Sequence, residues 1–231
     1  IANRLRTPLG KPQDTFTKIE AAIQKRIAQV QGSLADPCDQ YYSSVLKVRM
    51  LLLVMENMEK LVYNAIDGNS SRLYMTPKTA KTFFRTNRAT CDGWINRNRM
   101  SIMRIGIKCG EPATVVRHGQ ELLKERIASK KYNKSALELI LILMIEALIQ
   151  LGSSDAAMGY YLWAKQTLGL KYLWIKAAAE EANGRFENAL EQYGAIHKSD
   201  IRLSPVNDKE EDKPSNLTDF LNNRIVQCYI N

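Results

Sequence analysis

The stretch AAEEANGRFENALEQY, residues 178–193, decides how the chain is read. Small side chains at Ala178, Ala182 and Ala189 let two helices approach closely. Gly184 between them accepts the left-handed backbone that ends one helix and releases the next. Phe186 and Tyr193 lie seven residues apart, so they share a helix face and can fill the groove between the two helices. The stretch therefore predicts a helix, a tight turn and a returning helix.

These offsets of Ala, Gly, aromatic, Ala and Tyr are those of a tetratricopeptide hairpin. Such a hairpin cannot bury its apolar face alone, and neighbours must stack on it. The rest of the chain agrees. Only 12 Gly and 7 Pro occur in 231 residues, and β-branched runs are few, which favours helix over sheet. Asp14 can cap a helix to about residue 30, with Phe16, Ile19, Ile23 and Ile27 on one face. A loop at 31–40 precedes a long helix over 42–66, whose centre, MLLLVM at 50–55, is expected to be buried on most sides. Thr76-Pro77 opens a short helix to about residue 86. Further helices are expected over 89–109, 112–129, 135–151, 154–168, 170–183, 185–197 and 217–230, with Gly110, Gly152, Gly169 and Gly184 as stops.

Residues 139–145, LILILMI, could pass for a buried strand. They sit within a longer run bounded by helix signals, and length favours helix. Glu138 and Glu146 interrupt the run, and it is too short to span a membrane. Residues 198–216 are polar, with a charged run over 208–213, and are expected to be a disordered loop. The fold class is all-α: an α-solenoid of antiparallel tetratricopeptide/HEAT-like helical hairpins.

No catalytic constellation is present. The chain has no Gly-rich phosphate loop, no H-E-x-x-H, no G-x-S-x-G and no kinase catalytic-loop or D-F-G motif. Cysteines 38, 91, 109 and 228 are irregularly spaced, without C-x-x-C, so reduced core thiols are expected rather than a metal site or a disulfide framework. The opening IANR lacks a secretory pattern and reads as an excerpt from a longer protein.

The net charge of +9 is concentrated. Residues 78–131 hold thirteen Lys and Arg against four Asp and Glu, which accounts for the whole excess. Within them, Arg97, Ser101, Arg104 and Lys108 fall at i, i+4, i+7 and i+11 on one helical face, and Arg117 and Lys124 share a face of the next helix. Cys109 reads as a packed thiol and His118 as a hydrogen-bonding side chain near a hairpin bend. The basic edge has three readings: a solvated face, a polyphosphate site, or a nucleic-acid surface. Stacking on nucleic acid needs interleaved aromatics. Phe83, Phe84 and Trp94 are spaced as core instead, so direct nucleic-acid binding is not expected.

Residues 2–16, ANRLRTPLGKPQDTF, and 76–119, TPKTAKTFFRTNRATCDGWINRNRMSIMRIGIKCGEPATVVRHG, resemble a FAT region. So do 173–193, LWIKAAAEEANGRFENALEQY, and the terminal NNRIVQCYI. The family is the phosphatidylinositol-3-kinase-related serine/threonine kinases of nonsense-mediated mRNA decay. The resemblance implies that residues 1–231 are part of one FAT-type helical repeat domain supporting a C-terminal kinase domain of the same polypeptide. It implies regulatory subunits of a decay kinase complex as partners, no membrane, and a cytoplasmic location with the nucleus as second compartment. ATP and magnesium would bind elsewhere in the full kinase. Inositol hexakisphosphate is the implied ligand of the basic edge, with Arg97, Arg104, Lys108, Arg117 and Lys124 as candidate ligands. The alternative is a free-standing tetratricopeptide-like adaptor binding peptide or RNA.

Overall fold

The structure, a computed structural model, describes residues 14, 17–25, 38–67, 82, 85–129, 133–203 and 216–231. It divides into two compact units, Ile1–Gly110 and Glu111–Asn231. The described residues form helices and connecting turns, and no strand occurs among them. The fold of the described residues is all-α, and in the second unit, from Pro112 to Leu203, short links join successive helices into hairpins.

In the first unit, helical residues 17–25 share a core with α1 (Cys38–Asp67) and α2 (Arg88–Lys108). Ile19 and Ile23 meet Val48, Leu52 and Met55 of α1, and Trp94, Ile102 and Ile105 of α2. Val48, Leu52 and Met55 fall at i, i+4 and i+7, a single apolar stripe. The expectation that 50–55 is buried on most sides is therefore corrected. Met50 and Leu53 are 60% and 53% exposed, and Val54 is exposed too. A continuous apolar run carries no periodicity to say which face packs, and one face of α1 makes this core. The helix also begins at Cys38, inside the segment expected as loop. The expected start of the short helix at Thr76-Pro77 lies outside the described residues.

The second unit holds α3 (Pro112–Ala128), α4 (Lys134–Gln150), α5 (Ser154–Trp163), α6 (Leu173–Ala182), α7 (Phe186–Leu203) and α8 (Asn216–Ile230). Pro112 stands in the first turn of α3, where its missing N–H costs nothing. Asn133, rather than Ser135, caps α4: its side chain accepts from the Ser135 amide at 2.9 Å. α4 is the central element, packing on α3, α5, α6 and α8. Leu137, Ile140, Leu141, Met144, Ile145 and Leu148 are all buried on it, so the LILILMI run is core helix.

The deciding stretch forms the α6–α7 hairpin. Gly184 takes φ of +75°, and Ala177, Ala178, Ala179 and Ala189 are almost fully buried where the helices meet. Phe220 of α8 packs edge-on against Trp174 and Tyr193, with ring centroids 5.4 and 6.4 Å away. Two boundaries differ from expectation. α5 ends in a π-helical turn, Ala164–Leu168, and α6 starts at Leu173 rather than near 170. α7 runs through Leu203, so 198–203 is helical and not loop, while 204–215 lies outside the described residues.

Candidate functional site

On α2 the helical period separates two kinds of arginine. Arg97, Arg104 and Lys108 are exposed along one face, a stripe about 16 Å long at the helical rise. Among the described residues none of the three has an ion-pair partner. Ser101 sits within the stripe, half-buried, and its hydroxyl accepts from Gln24 Nε2 at 3.2 Å. Arg99, by contrast, is 8% exposed. It meets Glu59 at 2.8 Å and donates to Asn96 Oδ1 at 3.0 Å. Its charge is spent inside the first unit.

Arg117 and Lys124 belong to α3, in the second unit. Lys124 is exposed and pairs with Glu121 at 2.7 Å, a surface i,i+3 pair of little energetic weight. Arg117 is half-buried and lies 3.0 Å from His118 Nε2. A guanidinium can only donate, so this imidazole nitrogen accepts. His118 is buried, as expected of a structural hydrogen-bonding side chain. Cys91, Cys109 and Cys228 are buried as well. Burial, helped by Asp92, pushes the Cys91 thiol up to about 11; burial, helped by Glu181, does the same for Cys228. Thiols held protonated in this way are poor nucleophiles. No cluster of three metal-ligating side chains occurs among the described residues, and no helix among them is long and apolar enough to cross a membrane.

Sequence reasoning missed the most organised polar site. Glu181 of α6 is 3% exposed, yet it carries a carboxylate. Tyr193 of α7 donates to its Oε2 at 2.9 Å, and Arg224 of α8 grips both oxygens through Nε and Nη2. Burial first, and the carboxylate second, hold the Tyr193 phenol far above its usual range. One signal existed: Glu181 lies i+4 from Ala177 and i+3 from Ala178, on the small-residue face. The network joins three helices and encloses Glu181, while Arg224 also lines a small cavity of about 170 Å³ with Glu146, Asp219 and Asn223.

A model of the SMG1 family, described as serine/threonine-protein kinase smg-1, matches residues 1–231. The chain is 36% identical over 203 residues, 84% of its length, to the serine/threonine-protein kinase SMG1 of Danio rerio. It is 31% identical over 205 residues, 85% of its length, to serine/threonine-protein kinase Smg1 of Drosophila melanogaster. A probable serine/threonine-protein kinase smg1 of Dictyostelium discoideum is 27% identical over 71% of the chain and is covered over 7% of its own length. The chain spans about 6% of the length of the zebrafish and fly relatives. On this match along its whole length, the chain belongs to the SMG1 serine/threonine-protein kinase family.

Proposed function

We propose that the chain is a non-catalytic FAT-type scaffold segment of a phosphatidylinositol-3-kinase-related serine/threonine kinase acting in nonsense-mediated mRNA decay. The observation that carries the reading is that the family match covers 1–231, a stretch without a phosphoryl-transfer motif whose described residues form packed helices. The relatives' much greater length favours a segment of such a kinase over a free-standing adaptor. The segment's task is mechanical: stacked hairpins support the kinase domain of the same polypeptide and offer surfaces to regulatory subunits. The setting is the cytoplasm, and also the nucleus.

The exposed face of α2 fits a polyphosphate. Arg97, Arg104 and Lys108 supply donors whose charges no described carboxylate neutralises, and a dense anion such as inositol hexakisphosphate would relieve their repulsion. Bound there, it would act as an electrostatic staple and perform no chemistry. Arg117 and Lys124, the other candidate donors, belong to α3 of the second unit, where Lys124 pairs with Glu121 and Arg117 with His118.

The scaffold role is tested in the full-length kinase. Leu148→Asp puts an unpaired carboxylate into the core around α4, a cost of about 3–5 kcal/mol. Phosphorylation of a peptide substrate should fall, together with new protease sensitivity within 111–231. Full activity from a kinase whose hairpins are opened by this change would sink the scaffold reading.

A further inference from the structure

Between α3 and α5 lies an open groove of about 510 Å³ that neither the family match nor the basic stripe accounts for. Leu123 and Ile127 form one wall, Tyr160 and Trp163 the other, and Ala156 and Gly159 leave the space between them open. We propose that this groove docks a partner peptide carrying an aliphatic or aromatic side chain next to a carboxylate.

Three observations support the assignment. The first is open space beside small residues, Ala156 and Gly159, on the α5 side of the groove. A Cβ added at Gly159 would meet nothing within 4 Å. Gly159 is exposed on the groove lining, so a larger side chain there would enter the trough rather than the core.

The second is the chemistry of the lining. Aromatic and aliphatic carbons dominate, with Tyr160 and Trp163 meeting edge to face at 6.4 Å. The polar members are Gln120, Tyr160 and Lys124. Gln120 Nε2 donates to the Tyr160 hydroxyl at 3.1 Å, which leaves that hydroxyl's own proton for an acceptor. Lys124 is the single charged residue in the lining, and Glu121, its exposed partner, lies outside it. The groove thus offers hydrogen-bond donors and one cation beside apolar carbon, the complement of an apolar side chain flanked by a carboxylate. Exchanging the exposed Glu121 pair for a partner's carboxylate costs little.

The third is shape. The trough runs along α3 from Gln120 to Ile127, about 10 Å at the helical rise, and lies open to solvent. An open trough of that length suits a side chain presented by a peptide backbone, whereas small molecules favour sites that enclose most of their surface. The π-helical turn at Ala164–Leu168 follows Trp163 directly, and such irregularities recur at functional positions.

The test uses the 231-residue chain and three fluorescein-labelled peptides sharing a Leu-Phe core, flanked by Asp, Asn or Lys. Fluorescence anisotropy should rank the Asp-flanked peptide first. Gly159→Leu fills the trough with a good helix former and should weaken that peptide at least about tenfold. Lys124→Glu should move the Lys-flanked peptide to first place. Should Gly159→Leu disturb helicity, Ala156→Leu fills the same space from the preceding turn. The proposal is overturned if no peptide binds, if the trough-filling variants bind as the parent does, or if the ranking survives Lys124→Glu. Gly159→Leu and Ala156→Leu alter none of the candidate polyphosphate ligands Arg97, Arg104, Lys108, Arg117 and Lys124, so a loss of peptide binding in them is independent of the polyphosphate reading.

Discussion

Arg104 on α2 and Arg224 on α8 are the same side chain put to opposite uses. Arg104 stands in water with like charges a turn or two away. Arg224 is nearly enclosed, its side chain 13% exposed, with its charge spent on a carboxylate more deeply buried than itself. The difference lies in what each arginine faces, and it teaches where a charge holds the fold and where it is available to something else. A buried charge with one partner is costly to strand, while an exposed charge without a partner is cheap to remove.

The largest effect therefore belongs to Arg224. Arg224→Ala strands the Glu181 carboxylate among Ala177, Ala178 and Tyr193, and should cost about 3–5 kcal/mol by urea denaturation. Pairing it with Glu181→Gln should recover a substantial part, because a neutral amide keeps the Tyr193 hydrogen bond without an uncompensated charge. The contrast between the two arginines breaks if Arg224→Ala melts like the parent.

That network also marks the limit of what could be read from the chain. Helix ends were legible wherever a glycine carried the backbone to positive φ, as at Gly110 and Gly184, because the conformation itself selects the residue. The α2 stripe was legible because the 3.6-residue period sorts Arg97, Arg104 and Lys108 from Trp94, Ile102 and Met103. Glu181 was not singled out, although its neighbours Ala177 and Ala178 hint at a tight interface. Its partner Arg224 is 43 residues distant, and no local pattern links them. The α3–α5 groove was hidden for the same reason: Leu123 and Trp163 line opposite walls of one groove only once α4 has placed their helices. The run at 50–55 misled because every residue in it is apolar, so burial on one face leaves no trace in the pattern.

A pH titration sharpens the comparison at an intermediate scale. Cys91 and Cys228 are raised from 9.0 to about 11, and Tyr193 is raised as well, in each case by burial first. A raised acid keeps its proton longer in the folded state than in the unfolded one. Its contribution is full below the unfolded value and is lost as pH climbs toward the folded value. Under reducing conditions the urea midpoint should stay level to about pH 9 and fall between about 9 and 11. Tyr193→Phe removes one titrating group from the buried network. It should start from a lower midpoint, having lost the bond to Glu181, and then fall less steeply. An equal slope in parent and variant would show that Tyr193 is not the strongly shifted group its burial implies.

The smallest effect on the folded chain is expected at Arg104. No described carboxylate pairs with it, and the like charges of Arg97 and Lys108 are screened over about 8 Å at physiological salt. Arg104→Glu should therefore change the unliganded melting point by no more than about 0.5 kcal/mol in stability, against several for Arg224→Ala. The same variant should respond very differently to a ligand. Inositol hexakisphosphate at about a hundred times its dissociation constant would stabilise the parent by about 2.7 kcal/mol, because it binds the folded state alone. Arg104→Glu should lose most of that rise, since reversal removes one donor and adds a repulsive charge. Arg117→Glu, measured separately, reports whether α3 contributes. Raising the salt should shrink the parent's response, as expected for exposed cations meeting a dense anion. A variant that gains as much from the phosphate as the parent does would make the α2 stripe a solvated face, and the two arginines would then differ only in burial.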